Sequence, residues 1–182
     1  MGTVRVDLSG LEKLQGQIHA LQKQQMEEFC RAVSKELAAR LLGLVIPATP
    51  VGRYRKKWVR FTTKEGTKVK FKIKNKKVGG TLRRGWTAKT EAEAHAGGSG
   101  PTARQYAYSL PIQKSGDQYT IIVTNPVHYA EYVERGHRTR NGAGKGWVPG
   151  RYMLTVSEAQ LKTQIPSVVE RHLEQKLRRI FE

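Results

Sequence analysis

The stretch LSGLEKLQGQIHALQKQQMEEFCRAVSKELAARLLGLVIPATP, Leu8–Pro50, decides the fold. Leu11, Leu14, Ile18 and Leu21 recur every three or four residues. After a polar break at Gln22–Gln25, Phe29, Val33, Leu37, Leu41 and Leu44 continue the stripe. That spacing predicts one long helix over 8–44. Ser9 with Glu12 forms a capping box at its start, and Gly43 and Pro47 are expected to stop it. A helix of this length has more apolar stripe than a small domain can cover. Its first half, with Leu14, Ile18 and Leu21, is therefore expected on a neighbouring subunit or along the outside. The single cysteine, Cys30, lies in this pattern and reads as a small packed hydrophobe.

Downstream the character changes. Of the 33 basic and 15 acidic residues in the 182-residue chain, residues 51–84 hold fourteen basic and one acidic, Glu65. The flanking segments are close to neutral. The net charge of +18 therefore belongs mostly to one fifth of the chain. This argues against an ordinary near-neutral metabolic enzyme and for a polyanionic partner or a complementary protein surface. Within that segment Val69, Phe71 and Ile73 alternate with Lys68, Lys70, Lys72 and Lys74. Val59 and Phe61 alternate with Arg60 and Thr62, and Lys64-Glu65-Gly66 makes the turn. The period of two predicts a β-hairpin over 58–74 with its lysines on one face.

The remainder predicts a strand starting near Leu82 or Trp86 and a loop at 94–101. Strands follow at 105–113 and 118–125, joined at Gly116-Asp117. A short helix over 127–135 ends at Gly136, and 136–150 reads as a Gly-rich basic loop. A last helical region runs from Tyr152 to Phe181. There Ser157 and Gln160 offer a capping box, and Pro166 a kink or a new start. Leu161, Ile165, Val169, Leu173, Leu177 and Ile180 are the expected buried stripe. The longest apolar stretch, Leu41–Ala48, is far too short to span a bilayer, and no membrane contact is expected. The N-terminal MGTVRVDLSG has no apolar signal core, so secretion is not expected.

Catalytic patterns fail in detail. Gly142-Ala143-Gly144-Lys145-Gly146 lacks the upstream glycine and the hydroxyl residue of a phosphate loop. His128, Glu131, Glu134 and His137 step round a helix too fast to share one metal. No nucleophile elbow is present. No cofactor, metal or catalytic residue is expected. The basic hairpin, with Tyr54, Trp58, Phe61 and Phe71 interleaved, suits nucleic acid; its lysines equally suit a solvated, guarded edge.

The order of motifs carries a resemblance. Thr49-Pro50-Val51 precedes the hairpin and Gly80-Thr81-Leu82-Arg83-Arg84-Gly85-Trp86 follows it. Then come Asn125-Pro126, Tyr129-Ala130-Glu131-Tyr132-Val133-Glu134-Arg135-Gly136-His137 and Val148-Pro149-Gly150-Arg151-Tyr152-Met153-Leu154. This resembles the tail-completion, or head–tail joining, proteins of long-tailed phages and of phage-like defective prophage particles. The departure is the basic hairpin, which separates the first two motifs. The resemblance implies an α+β fold with a long N-terminal helix, a small antiparallel β-sheet and one or more C-terminal helices; the basic β-hairpin, read from its own alternation, is expected to protrude from it. The resemblance covers one domain, 1–182, with the hairpin inserted at 52–79. It further implies a structural virion protein of the neck, without catalytic residues, assembled in the bacterial cytoplasm as a ring, six subunits favoured. The expected neighbours are the tail terminator, tail tube or head connector, with DNA in the lumen a further contact. Arg53, Arg55, Lys56, Lys57, Arg60, Lys68, Lys70, Lys72, Lys74, Lys76 and Lys77 are the expected partner or nucleic-acid contacts. Leu14, Ile18, Leu21, Tyr129, Tyr132, Glu134 and Arg135 are the expected subunit contacts. A nucleic-acid-binding protein acting through the hairpin alone is the competing reading.

Overall fold

The computed structural model describes residues 9–52, 57–73, 79–139 and 146–181. The fold is α+β. Helix α1 (Ser9–Ala48) is followed by β1 (Lys57–Thr62) and β2 (Lys68–Ile73). Short helices α2 (Thr81–Gly85), α3 (Glu91–Ala96) and α4 (Ala103–Ser109) come next. Strands β3 (Gln113–Ser115) and β4 (Gln118–Thr120), helix α5 (Ala130–Arg135), strands β5 (Gly136–Arg138) and β6 (Trp147–Pro149), and helix α6 (Met153–Phe181) complete it. The strands form three separate two-stranded antiparallel ribbons, β1–β2, β3–β4 and β5–β6. The second half of α1 packs on α4 and α6, and α2 packs on α3.

The long first helix forms as its periodicity predicts, but Gly43 and Pro47 do not stop it. A proline loses one helical hydrogen bond and crowds the carbonyl four residues earlier. Here that carbonyl belongs to the exposed Gly43, where water can reach it. The helix closes instead at Thr49, whose N–H and hydroxyl both donate to the Val45 carbonyl (3.0 and 2.7 Å). Arg83 then donates to the free carbonyls of Pro47 and Thr49 (3.2 and 2.7 Å).

The buried line on α1 is Val33, Ala38, Leu42, Val45 and Thr49; Leu37, Leu41 and Leu44 are half-buried. The stripe is rotated by one residue from its sequence reading because α4 and α6 both press on this face. The small Ala38 and Ala107 allow the close approach. Leu42 and Val45 meet Leu82, Trp86, Tyr106, Ala107, Val127 and Met153 in one core. Cys30 is half-buried.

Two expected strands are helical. Residues 81–90 hold α2, and 105–113 falls largely in α4. Thr102 and Gln105 make a full capping box at the start of α4, a signal outweighed in the sequence by the alternation of Tyr106 and Tyr108. Tyr106 is buried and its hydroxyl donates to the Ala88 carbonyl (3.2 Å), while Tyr108 is exposed. Over 118–125 only Gln118–Thr120 pairs as a strand, because β3 offers three residues. Ile121 and Val123 still turn inward and Ile122 outward, so the alternation persists without a partner strand. The expected loop at 94–101 starts only after α3. The expected loop at 136–150 is instead bounded by the β5–β6 ribbon, and its phosphate-loop-like centre lies outside the described residues.

Helix α6 runs unbroken through Pro166. That residue is exposed, as is Lys162 one turn earlier, so the freed carbonyl faces water. Ser157 is no cap: it is buried mid-helix, its hydroxyl donating to the Met153 carbonyl (2.6 Å). Met153, Ser157 and Val168 are buried, Leu161, Ile165 and Val169 half-buried. Leu173 and Leu177, expected inside, are 47% and 44% exposed. An ion cluster staples α6 to α1: Glu36 accepts from His172 (2.7 Å), Arg40 (3.0 Å) and Arg171. Burial pushes the Glu36 carboxyl up, but those three donors outweigh it and hold it at about 2.

Candidate functional site

The motifs of the resemblance fold onto one another. Trp86 is buried, and its indole N–H donates to the Thr49 hydroxyl (2.7 Å), joining the two motifs that the hairpin separates in sequence. Arg83 ties the second motif to the end of α1, as above. Arg84 donates to the carbonyls of Ala94 (3.0 Å) and Gly79 (3.1 Å). These two arginines of the basic segment thus serve the scaffold. Asn125 donates to the Leu82 carbonyl and accepts from the Val127 N–H (2.8 and 3.2 Å). A side chain at Gly85 would collide with Asn125, which explains the glycine. The insertion leaves and re-enters the body at one point, since a side chain at Gly79 would meet the Gly52 carbonyl.

The later motifs close in the same way. Arg151 and Tyr152 donate their N–H groups to the carbonyls of Val133 and Glu134 (2.8 and 3.0 Å). The Glu134 carboxylate accepts from the N–H groups of Leu154 and Thr155 and from the Thr155 hydroxyl (2.9, 3.0 and 2.9 Å). It caps the first turn of α6, whose amides are otherwise unpaired and whose dipole favours an anion. Burial raises the Glu134 carboxyl and these donors outweigh it, so its pKa lies below the ordinary value. Glu134, expected at a subunit contact, therefore has an intramolecular task. Nothing in its sequence neighbourhood signals this, because its partners lie twenty residues away.

The other residues of that motif face outward to differing degrees. Tyr129 is half-buried against the core, Tyr132 is 57% exposed, and Arg135 pairs with Glu131 at the surface (3.3 Å). The ring of Tyr132 meets His137 edge-on, and the buried Nδ1 of His137 has no partner among the described residues. His128 pairs with Glu91 (2.6 Å), so the four residues once weighed as metal ligands go separate ways. Among the described residues no group of three or more His, Cys, Asp or Glu could hold a metal.

The hairpin is a two-faced ribbon. Its register sets Trp58 opposite Lys72, Arg60 opposite Lys70 and Thr62 opposite Lys68. Alternation places these six on one face and Val59, Phe61, Val69 and Phe71 on the other. Gly66, at φ 83°, lets the turn close. Phe61 and Phe71 touch edge to face at 6.2 Å yet remain 48% and 45% exposed, so the described residues leave the apolar face open. On the other face Lys70 and Lys72 lie over the Trp58 ring, 4.8 and 5.4 Å from its centroid. Of the expected contacts, Arg60, Lys68, Lys70 and Lys72 are thus brought together. Arg53, Arg55, Lys56, Lys74, Lys76 and Lys77 lie outside the described residues, as do the side chains of Lys57, Leu14, Ile18 and Leu21.

No helix among the described residues is long and apolar enough to cross a membrane. Comparison with curated proteins and with solved structures gives no match. The family model HK97-gp10-like, described as "Bacteriophage HK97-gp10, putative tail-component", matches residues 12–136. That span holds nearly all of α1, the hairpin and the motifs up to Gly136, so it includes the scaffold contacts of Thr49, Trp86 and Asn125. It covers well over half of the chain, and the protein belongs to this HK97-gp10-like family of phage tail components.

Proposed function

We propose that this tail component completes the tail and joins it at the neck to the head connector or tail terminator, as a ring of identical subunits, six favoured. The observation that carries the ring is the apolar surface a single subunit leaves uncovered. Phe61 and Phe71 on the ribbon, Tyr132 and Trp147 beside α5, and Leu173 and Leu177 on α6 are all more than 40% exposed. Separate apolar patches at several ends of a small subunit suit contacts with more than one neighbour. The run Ile121–Thr124, which alternates in burial and pairs with no strand among the described residues, adds an edge that a neighbouring strand can extend. Family membership supports the place in the virion; assembly in the host cytoplasm is part of the same reading. The role is structural: Thr49, Arg83, Arg84, Trp86, Asn125 and Glu134 of the motifs are engaged in holding the subunit together.

The mass of the purified full chain in solution and the phenotype of particles lacking it test this reading together. Hexamers, with tails that fail to join heads when the chain is missing, are expected. A chain that stays monomeric at high concentration, with normal joining in its absence, overturns it.

A further inference from the structure

We propose that the Trp58 face of the β1–β2 ribbon binds duplex DNA through its phosphates, without regard to base sequence. Arg60, Lys68, Lys70 and Lys72 stand on this face. Neighbours along β2 are about 7 Å apart and cross-strand pairs about 5 Å apart, distances at which like charges repel. No carboxylate among the described residues pairs with these cations. The subunit's ion pairs among the described residues use Glu27, Glu36, Glu91 and Glu131, all on other elements. Glu65, at the hairpin turn, is the only acid in residues 51–84. Among the described residues the compensation is the Trp58 ring under Lys70 and Lys72.

An anionic partner outside the subunit would relieve this repulsion. A second copy is a poor candidate, since each copy carries +18. A two-stranded ribbon is one of the elements that the major groove admits. The face holds no Asn, Gln, Asp or Glu to read base edges, and lysines act as point charges on phosphates. Trp58 is 51% exposed between the cations, where it can lie against sugar or base. The apolar face, with Phe61 and Phe71, points the other way and stays free for protein neighbours. This inference does not rest on the neck reading; it holds for the subunit wherever in the tail it sits.

The test is binding of the full chain to a random-sequence 20-base-pair duplex, by fluorescence anisotropy, across a salt series. Engagement of the four cations gives a slope of log K against log salt of about −3.6 or steeper. The triple variant Lys68→Gln, Lys70→Gln, Lys72→Gln should make the slope shallower by about 2.7 and weaken binding at least about tenfold at 0.1 M salt. The triple Lys→Arg variant should retain both, and all three proteins should share one melting curve. No duplex binding by the wild type at low salt overturns the proposal, as does an unchanged slope in the Gln variant. Polyglutamate bound as tightly per charge as DNA also overturns it and assigns the face to an acidic protein.

Discussion

The β1–β2 ribbon and the helical body it grows from are held together by different means. In the body, Leu42, Val45, Trp86, Ala107 and Met153 come from three separate helices and the turn after α2, and all are buried in one core. In the ribbon, the contacts are between its own two strands, and both faces meet solvent in the subunit. Burial therefore fixes the body and leaves the ribbon's side chains available. A protein spends its apolar surface either on its own stability or on its neighbours, and here the two uses are separated in space. The same separation holds for charge: Arg83 and Arg84 are tied to backbone carbonyls, while Arg60, Lys68, Lys70 and Lys72 have no carboxylate partner among the described residues.

The sharpest way to break this contrast is to place the same charge in each region. Leu42→Asp puts a carboxylate at a fully buried position and should leave the body unfolded in circular dichroism at 25 °C. Phe71→Asp on the ribbon should leave the melting temperature of the body where it is. A Phe71 variant that melts many degrees lower would show that the ribbon is part of the core. Leu41→Asp, at a half-buried site, should fall between the two.

Smaller effects follow at the seams between motifs. Trp86→Phe removes the donor to Thr49 from a buried site and should cost about 1–3 kcal/mol in urea denaturation. Glu134→Ala uncaps α6 and should cost about 1 kcal/mol, whereas Arg135→Glu next to it, 75% exposed, should cost almost nothing and act on assembly alone. If Glu134→Ala leaves stability untouched and blocks assembly, the residue belongs to the interface after all.

Acid should loosen the body before the ribbon. The Glu36 and Glu134 carboxyls are both depressed in the folded state, so the unfolded chain binds more protons at low pH. Their contribution is full above the ordinary value of 4.5 and is lost as pH falls, for Glu36 towards about 2. Thermal melts between pH 6 and 3 should fall more steeply for wild type than for a Glu36→Gln variant. The smallest effect is expected from the three strand lysines: their replacement by Gln should move stability by no more than about 0.5 kcal/mol.

Much of this was legible in the residues, and the failures have causes. The hairpin read correctly because strict alternation of Lys with Val, Phe and Ile has one solution, and the register follows from the turn at Gly66. The α5 helix ending at Gly136 and the helix to Phe181 read correctly for equally local reasons. Residues 81–90 and 105–113 were read as strands because runs of five to seven residues give too little periodicity to tell a buried helix turn from a strand. Tyr106 and Tyr108 alternate in burial on a helix as they would on a strand. The site was half legible: the cationic face was plain from the lysine spacing, while the α6 cap at Glu134 depended on residues far along the chain.

By itself the sequence determined the local periods, the long helices, the hairpin and its lysine face, and the concentration of charge in residues 51–84. These depend on neighbours a few positions apart, where backbone geometry alone sets which side chains share a face. Only the tertiary structure decided which line of α1 is buried, that Gly43, Pro47 and Pro166 sit within continuous helices, and that Thr49 and Trp86 meet across the inserted hairpin. It also decided that Leu173, Leu177, Phe61 and Phe71 stay uncovered in the subunit. Each of these turns on which surfaces face one another after the chain has folded back, and an apolar residue carries the same sequence signal whether its cover is its own chain or another.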